Sequence, residues 1–187
     1  MQKISKYKTA TTYAKAWFDA AKEDNNEDNV VNEVRLLLDS IRLNSALWTV
    51  LFQPVDDNQE KVKIVTEIAK QADFSKLSQD TLQFMAENDR LNLLKTVCGI
   101  FIKLYYEDKG IIEVTVDTAV ELTETQNKKL KETLEQKLQA PVVLSYRVKP
   151  EVLGGLAIRF NSFLFDDTLA YKLNNLKQVM LNRKTQQ

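Results

Sequence analysis

The chain has 187 residues, 44% of them apolar and 28% charged, with 26 basic and 26 acidic side chains. This is the composition of an ordinary globular protein that folds without staples. With no histidine and a single cysteine, it excludes Ser-His-Asp and Cys-His catalysis, a disulfide framework and a cysteine pair for a metal.

Charge is balanced along the chain as well: residues 1–105 carry 14 basic and 15 acidic groups, and the rest carry 12 and 11. Neither part has the basic field of a nucleic-acid binder or the basic amphipathic helix of a membrane-surface binder. No window approaches the ~18 consecutive apolar residues of a membrane span. The basic residues near Met1 have no apolar run behind them, so no secretory signal is expected.

Over residues 4–22, Ile4, Tyr7, Thr11, Ala14, Phe18 and Ala21 recur at helical spacing, and Tyr13 and Trp17 form an adjacent aromatic pair. A polar loop follows, in which Asn26 or Asp28 can cap a second helix over 30–43 that buries Val30, Val34, Leu37, Leu38 and Ile41. Ser45 is placed to cap a short third helix carrying Ala46, Leu47, Val50 and Leu51, ended by Pro54. Asp56 or Asp57 starts a fourth with Val62, Val65, Ile68 and Ala69 on one stripe, and Ser78 opens a fifth with Leu82, Met85 and a more exposed Phe84. Asp89 and Arg90 break that helix, and a sixth runs through Leu94, Val97, Phe101 and Tyr105 to Gly110. The prediction for residues 1–108 is a six-helix bundle.

Beyond Gly110 the period changes. Ile112, Val114 and Val116 alternate with Glu113, Thr115 and Asp117, as in a strand with one buried face. Thr123 and Gln126 form a capping box ahead of a helix presenting Leu130, Leu134 and Leu138, which ends before Pro141. A second strand (Val142, Leu144, Tyr146, Val148) leads through Gly154 and Gly155 into a hairpin, 156–160 and 163–165, turning at Asn161 and Ser162. A last amphipathic helix, from Thr168 to about Leu181, is capped by Asp166 or Asp167 and carries Leu169, Leu173, Leu176 and Met180. The fold class is therefore α+β: the bundle, then a small α/β unit over 109–187 with a mixed sheet and a final amphipathic helix.

Candidate chemistry is sparse. Two of the four glycines stand together at Gly154 and Gly155, but without the spaced glycines and the Lys-Ser/Thr of a phosphate loop they read as a tight backbone crossing. Asp166 and Asp167 with Glu151 suggest hard-cation ligands, although helix capping explains the pair more simply. Cys98, in an apolar helical run, reads as a buried structural thiol. Around Glu87, Asp89 and Arg90 two readings stay open, a local salt link or an arginine held near an aromatic groove. Catalytic, cofactor-binding and metal-binding residues are all expected to be absent. A generic two-domain adaptor, such as a ribosome-associated protein, and a carboxylate-based hydrolase are the other classes the composition permits.

Three stretches carry a resemblance. Residues 13–18 (Tyr-Ala-Lys-Ala-Trp-Phe), residues 85–91 (Met-Ala-Glu-Asn-Asp-Arg-Leu), and residues 153–156 (Leu-Gly-Gly-Leu) followed by Leu164-Phe165-Asp166 resemble the delta subunit of F-type ATP synthase, the oligomycin-sensitivity-conferring protein family. The resemblance spans essentially the whole chain. Departures fall at turns: Lys149 stands where the family has aspartate, Asp89 where it has glycine, Asp167-Thr168 where it has Gly-Ser, and Asn161-Ser162 where it has Gly-Asp.

The resemblance implies a non-catalytic stator connector, one copy per complex, without cofactor and without a membrane span of its own. Its N-terminal bundle would bind the N-terminal helices of alpha subunits in a groove between the first and fifth helices, lined by Tyr13, Ala16, Trp17, Phe84 and Arg90. Its C-terminal unit, shaped by the turn residues Gly154, Gly155 and Asp166, would hold the b subunits of the peripheral stalk. With no transit peptide expected at Met1, the location implied is the cytoplasmic face of a bacterial inner membrane.

Overall fold

A computed structural model describes residues 2–53, 59–160, 163–169 and 171, with side chains from Lys6 onward. The chain divides into two compact units, Met1–Tyr105 and Tyr106–Gln187. Pro54, Asp56, Asp57, Asn161, Ser162, Leu173, Leu176 and Met180 lie outside the described residues.

Six helices precede the first strand among the described residues: α1 (Gln2–Glu23), α2 (Glu27–Leu43), α3 (Ser45–Leu51), α4 (Gln59–Gln71), α5 (Lys76–Glu87) and α6 (Leu94–Asp108), the last entered through a 3-10 turn at Leu91–Leu93. They share one core. Phe101 of α6 lies 5.2 Å from the Trp17 ring and 5.5 Å, edge-on, from Phe18; Val34, Leu37, Val65, Leu82 and Met85 fill the space around them. The α1 stripe that enters the core is Ala10, Ala14, Trp17, Phe18 and Ala21. Tyr7, expected on that stripe, is exposed because the stripe runs past the N-terminal edge of the core.

Several helix starts differ from expectation. Asn26 occupies the N-cap of α2 without a side-chain cap bond. Asn44, not Ser45, precedes α3, which buries Trp48 and Leu51 and exposes Leu47 and Val50. The reason is the indole: Trp48 Nε1 donates to Ser40 Oγ of α2 at 3.2 Å, which rotates the short helix to put its largest side chain inward.

Helix α5 begins one turn earlier than Ser78 implies. Ser75 is its N-cap, and Ser78 is buried. Glu33 of α2 accepts hydrogen bonds from the Ser75 amide (2.7 Å), the Ser75 hydroxyl (2.9 Å) and the Ser78 hydroxyl. A carboxylate at a helix N-terminus satisfies orphan donors and complements the helix dipole, so this one residue clips α2 to α5.

Helix ends follow a shared pattern. Asn25, Asp73, Asp89 and Gly110 all have φ between 49° and 64°. At each, the amide of the following residue reaches back five positions, as in Arg90 N–H to the Met85 carbonyl (2.8 Å) and Ile111 N–H to the Tyr106 carbonyl (2.8 Å). This is the left-handed C-cap that glycine usually supplies and that Asn and Asp tolerate. Asp89 gains a second role there: its Oδ1 lies 2.9 Å from the ammonium of Lys61, a lysine buried at the start of α4 that also donates to the Gln53 carbonyl.

In the C-terminal unit, β1 (Ile112–Thr118), α7 (Glu124–Leu138), β2 (Val142–Val148), β3 (Leu156–Phe160) and β4 (Phe163–Asp166) build a four-stranded sheet ordered β2-β1-β3-β4. β1 and β2 are parallel, joined through α7, and the other pairings are antiparallel. The expected capping box is formed by Thr123 and Gln126. Val114, Val116, Val142 and Leu134 form the core, with Leu130, Leu138 and Ile158 against it. Tyr146 donates its hydroxyl to Asn127 Oδ1 of α7, and burial pushes its pKa up.

The glycine pair has a geometric cause. Gly155 has φ +81°, and a Cβ there would stand 2.4 Å from the Asp167 carbonyl oxygen and 3.1 Å from Thr168 Cα. Leu169 N–H donates to the Gly154 carbonyl, and Asp167 N–H to that of Leu156. The chain entering β3 is thus clamped to the chain leaving β4. The cap at this exit is Thr168, whose Oγ1 accepts from the Tyr171 amide, while Asp166 Oδ1 accepts from the Thr168 amide one step before it.

Gly155→Ala is expected to destabilise the C-terminal unit by about 2–4 kcal/mol in chemical denaturation, since backbone must move and positive φ disfavours alanine. Gly99→Ala, in α6 with nothing within 4 Å of the new methyl, should stabilise by about 0.5–1 kcal/mol; equal effects of the two would contradict this account. Asp89→Gly relaxes the left-handed cap but strands the buried Lys61, so a net loss of roughly 1–3 kcal/mol is expected in the same assay.

Candidate partner-binding surfaces

Helices α1 and α5 pack side by side. On their outer side the Tyr13 and Phe84 rings meet at 6.0 Å with a 48° tilt, Tyr13 half-buried and Phe84 54% exposed. Ala16, one position before Trp17, is exposed and small. A separate shallow concavity of about 610 Å³ lies along another side of α1, with Tyr7, Thr11, Lys15 and Ala16 but neither Tyr13 nor Phe84 in its lining. An exposed phenylalanine beside a half-buried tyrosine is suited to an apolar side chain of another helix.

The structure brings Tyr13 and Phe84 of the predicted groove residues into contact. Ala16 is exposed on α1, three residues after Tyr13. Trp17 is 3% exposed and packs at a tilt of 56° against Phe101; it belongs to the core, and its buried Nε1 has no hydrogen-bond partner among the described residues. Arg90 lies past the α5 C-terminus, held by its backbone bond to Met85 with its side chain exposed. Tyr7 was missed as a surface residue, and its periodicity alone pointed the wrong way.

The C-terminal unit has a polar centre that alternation did not predict. Asp117 falls on the strand face expected to meet solvent, yet it is 2% exposed. Arg147 Nε lies 2.8 Å from its Oδ1, and Lys149 Nζ and Arg159 Nη2 each lie 3.0 Å from its Oδ2. Burial alone would raise the Asp117 pKa, but hydrogen bonds from Lys149 and Arg147, with their charges, outweigh it and hold the carboxyl below its usual range. At the sheet edge, Phe163, Leu164 and Phe165 of β4 are all exposed, a run of apolar side chains that edge strands ordinarily avoid.

Among the described residues no group of three His, Cys, Asp or Glu is placed to hold a metal ion, and Asp166 is engaged by the Thr168 amide. Burial pushes the Cys98 thiol up to about 12, which leaves it un-ionised and unreactive. No helix among the described residues is long and apolar enough to cross a membrane.

A helical unit with an exposed aromatic pair, followed by a small mixed-sheet unit with its own exposed apolar edge, has the kind of surfaces that other proteins cover. Residues 9–180 match the family described as ATP synthase delta (OSCP) subunit, and the chain belongs to that family. It is 29% identical over 168 residues to the ATP synthase subunit delta of Rickettsia bellii, covering 90% of this chain and 89% of that protein. It is 30% identical over 172 residues to that of Acinetobacter baumannii, covering 92% and 96%. The fold matches a chain in a cryo-EM structure of the Toxoplasma gondii mitochondrial ATP synthase hexamer, with TM-score 0.75 and 20% identity over 92% of this chain and 97% of that one. The protein is accordingly a non-catalytic stator component of ATP synthase.

Because the folded pKa of Asp117 is depressed, its stabilisation is fully present above the ordinary aspartate value of 3.8 and is lost as pH falls through the lower folded value. Asp117→Asn should cost roughly 1–3 kcal/mol at pH 6, discounted because its partners are half-exposed. The gap between variant and wild type should shrink at pH 3 in denaturant titrations, and a gap independent of pH would remove the carboxylate from the account.

Proposed function

We propose that the face formed by Tyr13, Ala16 and Phe84 receives an amphipathic N-terminal helix of the alpha subunits, with Arg90 at its rim, and that the C-terminal unit holds the end of the b subunits. The residues 1–108 six-helix bundle would then cap the catalytic head, and residues 109–187 would grip the stalk. One copy per complex, on the cytoplasmic face of a bacterial inner membrane, is the arrangement this reading assigns. The observation that carries it is the Tyr13–Phe84 pair, an aromatic contact left half in solvent on a helix pair whose inner sides are fully packed.

The mechanical role follows from having two unlike surfaces on one chain. A head driven against a rotor must be held static, and a connector bound at both ends makes its second contact an effectively intramolecular one. Neither end then needs extreme affinity. No proton transfer or nucleophile is required of the chain, in keeping with an un-ionised, buried thiol and a histidine-free sequence.

Titration of the full chain with an alpha-subunit N-terminal peptide should give micromolar binding by calorimetry. Phe84→Ala should weaken it roughly tenfold or more, as expected for truncation of an exposed aromatic anchor, while leaving the thermal unfolding of the chain nearly unchanged. Absence of binding by the wild type, or equal affinity of the variant, would overturn the site.

A further inference from the structure

We propose that Lys61 is a positioning residue for the partner-binding face of the N-terminal unit, acting through Asp89 on the turn of α5 that carries Phe84 and Arg90. This rests on the reading that the Tyr13–Phe84 face receives an alpha-subunit helix. The starting observation is a cation in an unfavourable place. Lys61 is the third residue of α4, in the turn where the helix dipole is positive, and its side chain is 6% exposed. Both features disfavour an ammonium group, which is sustained there only by what it holds.

It holds the end of α5. Lys61 Nζ lies 2.9 Å from Asp89 Oδ1 and also donates to the Gln53 carbonyl just past α3. Asp89 is the left-handed residue of the α5 C-terminus, with φ 52°. Around it the Asp89 amide donates to the Ala86 carbonyl (3.0 Å) and the Arg90 amide to the Met85 carbonyl (2.8 Å), the paired bonds of a Schellman motif. Asn88 sends both its backbone amide (3.2 Å) and its side-chain amide (2.8 Å) to the Phe84 carbonyl. The other carboxylate of this turn, Glu87, accepts from Gln83 Nε2 instead.

These bonds run without a gap from Phe84 to Arg90, so the conformation of Asp89 sets where both side chains stand. Met85 and Ala86 are fully buried and fix the inner side of α5. Phe84 and Arg90 are exposed and depend on the closing turn for their orientation. A left-handed aspartate is less favourable than a glycine at such a turn, and helix ends with few tertiary contacts open readily.

Lys61 therefore does for Asp89 what the missing Cβ does for glycine, keeping the left-handed turn closed. With the ammonium removed, the Asp89 carboxylate, 37% exposed, turns to water, and the strained φ loses the contact that offsets it. The face is then less preorganised, and a partner helix must order the turn as it binds. A glycine at position 89 would need no such cation, which separates a role through Asp89 from a general contribution of Lys61 to packing.

The test measures the affinity of the full chain for an alpha-subunit N-terminal peptide by calorimetry, together with amide hydrogen exchange by NMR at Arg90, which closes the turn, and at Leu82, which is buried in α5 and reports the stability of the unit. Lys61→Met, similar in length and uncharged, is expected to weaken binding about 3- to 10-fold and to speed exchange at Arg90 about tenfold more than at Leu82. Adding Asp89→Gly to Lys61→Met should bring the affinity back to within about twofold of wild type and slow Arg90 again. If Lys61→Met does not give a cooperative melt, Lys61→Leu takes its place with the same expectations. If wild type binds but the single variant binds equally well, or changes exchange at Arg90 and Leu82 alike, the positioning role is overturned while the docking face stands. A double variant as weak as the single one overturns the route through Asp89. If wild type does not bind the peptide at all, the docking face falls and the positioning role with it.

Discussion

Asp117 is the constraint on which the C-terminal unit depends. It sits in β1, which among the described strands has both a parallel and an antiparallel neighbour. Its carboxylate is covered by side chains from the β2 strand and its exit and from β3. A charge so buried requires partners, and those partners fix how β2 and β3 flank β1. The opposite face of β1 is plain apolar packing against α7. One strand thereby joins a hydrophobic layer to an ionic one, and the tight Gly155 crossing closes the ionic side by bringing the backbone at Asp167 and Thr168 over the entry to β3.

The N-terminal unit solves a similar problem with polar clips laid across an aromatic core. Glu33 caps α5 from α2, and Asp89 pairs with Lys61 across 28 residues. Both acidic groups sit at helix ends, where unpaired backbone donors or a left-handed cap already call for a polar residue. Asp89 shows how a left-handed cap without glycine becomes tolerable. The φ of 52° is unfavourable for a β-carbon, but the side chain that brings the strain also neutralises a buried ammonium.

For a stator subunit these are fitting materials. Load must pass through the chain without a catalytic group to misplace, so rigidity comes from packed aromatics and clipped helix ends. What the two cores leave exposed is Phe84 beside Tyr13 on one unit and the β4 edge on the other. Exposed apolar side chains at these places are the usual mark of a surface completed by assembly.

How much of this was legible beforehand depended on whether the signal was local. Helix and strand periods, the Thr123–Gln126 capping box, the mixed α+β order and the glycine pair were all readable, because each depends on residues within a turn or two of one another. The motifs of residues 13–18, 85–91 and 153–156 carried the family. What only tertiary structure decided were pairings between distant residues: Glu33 with Ser75 and Ser78, Lys61 with Asp89, and Asp117 with three cations. Alternation placed Asp117 toward water because a strand pattern records which face a residue takes, not what covers that face. Likewise the spacing of Tyr7 and Trp17 specified a helical face but not where the core ends, and so one ring expected inside lies in solvent while one assigned to the groove is buried.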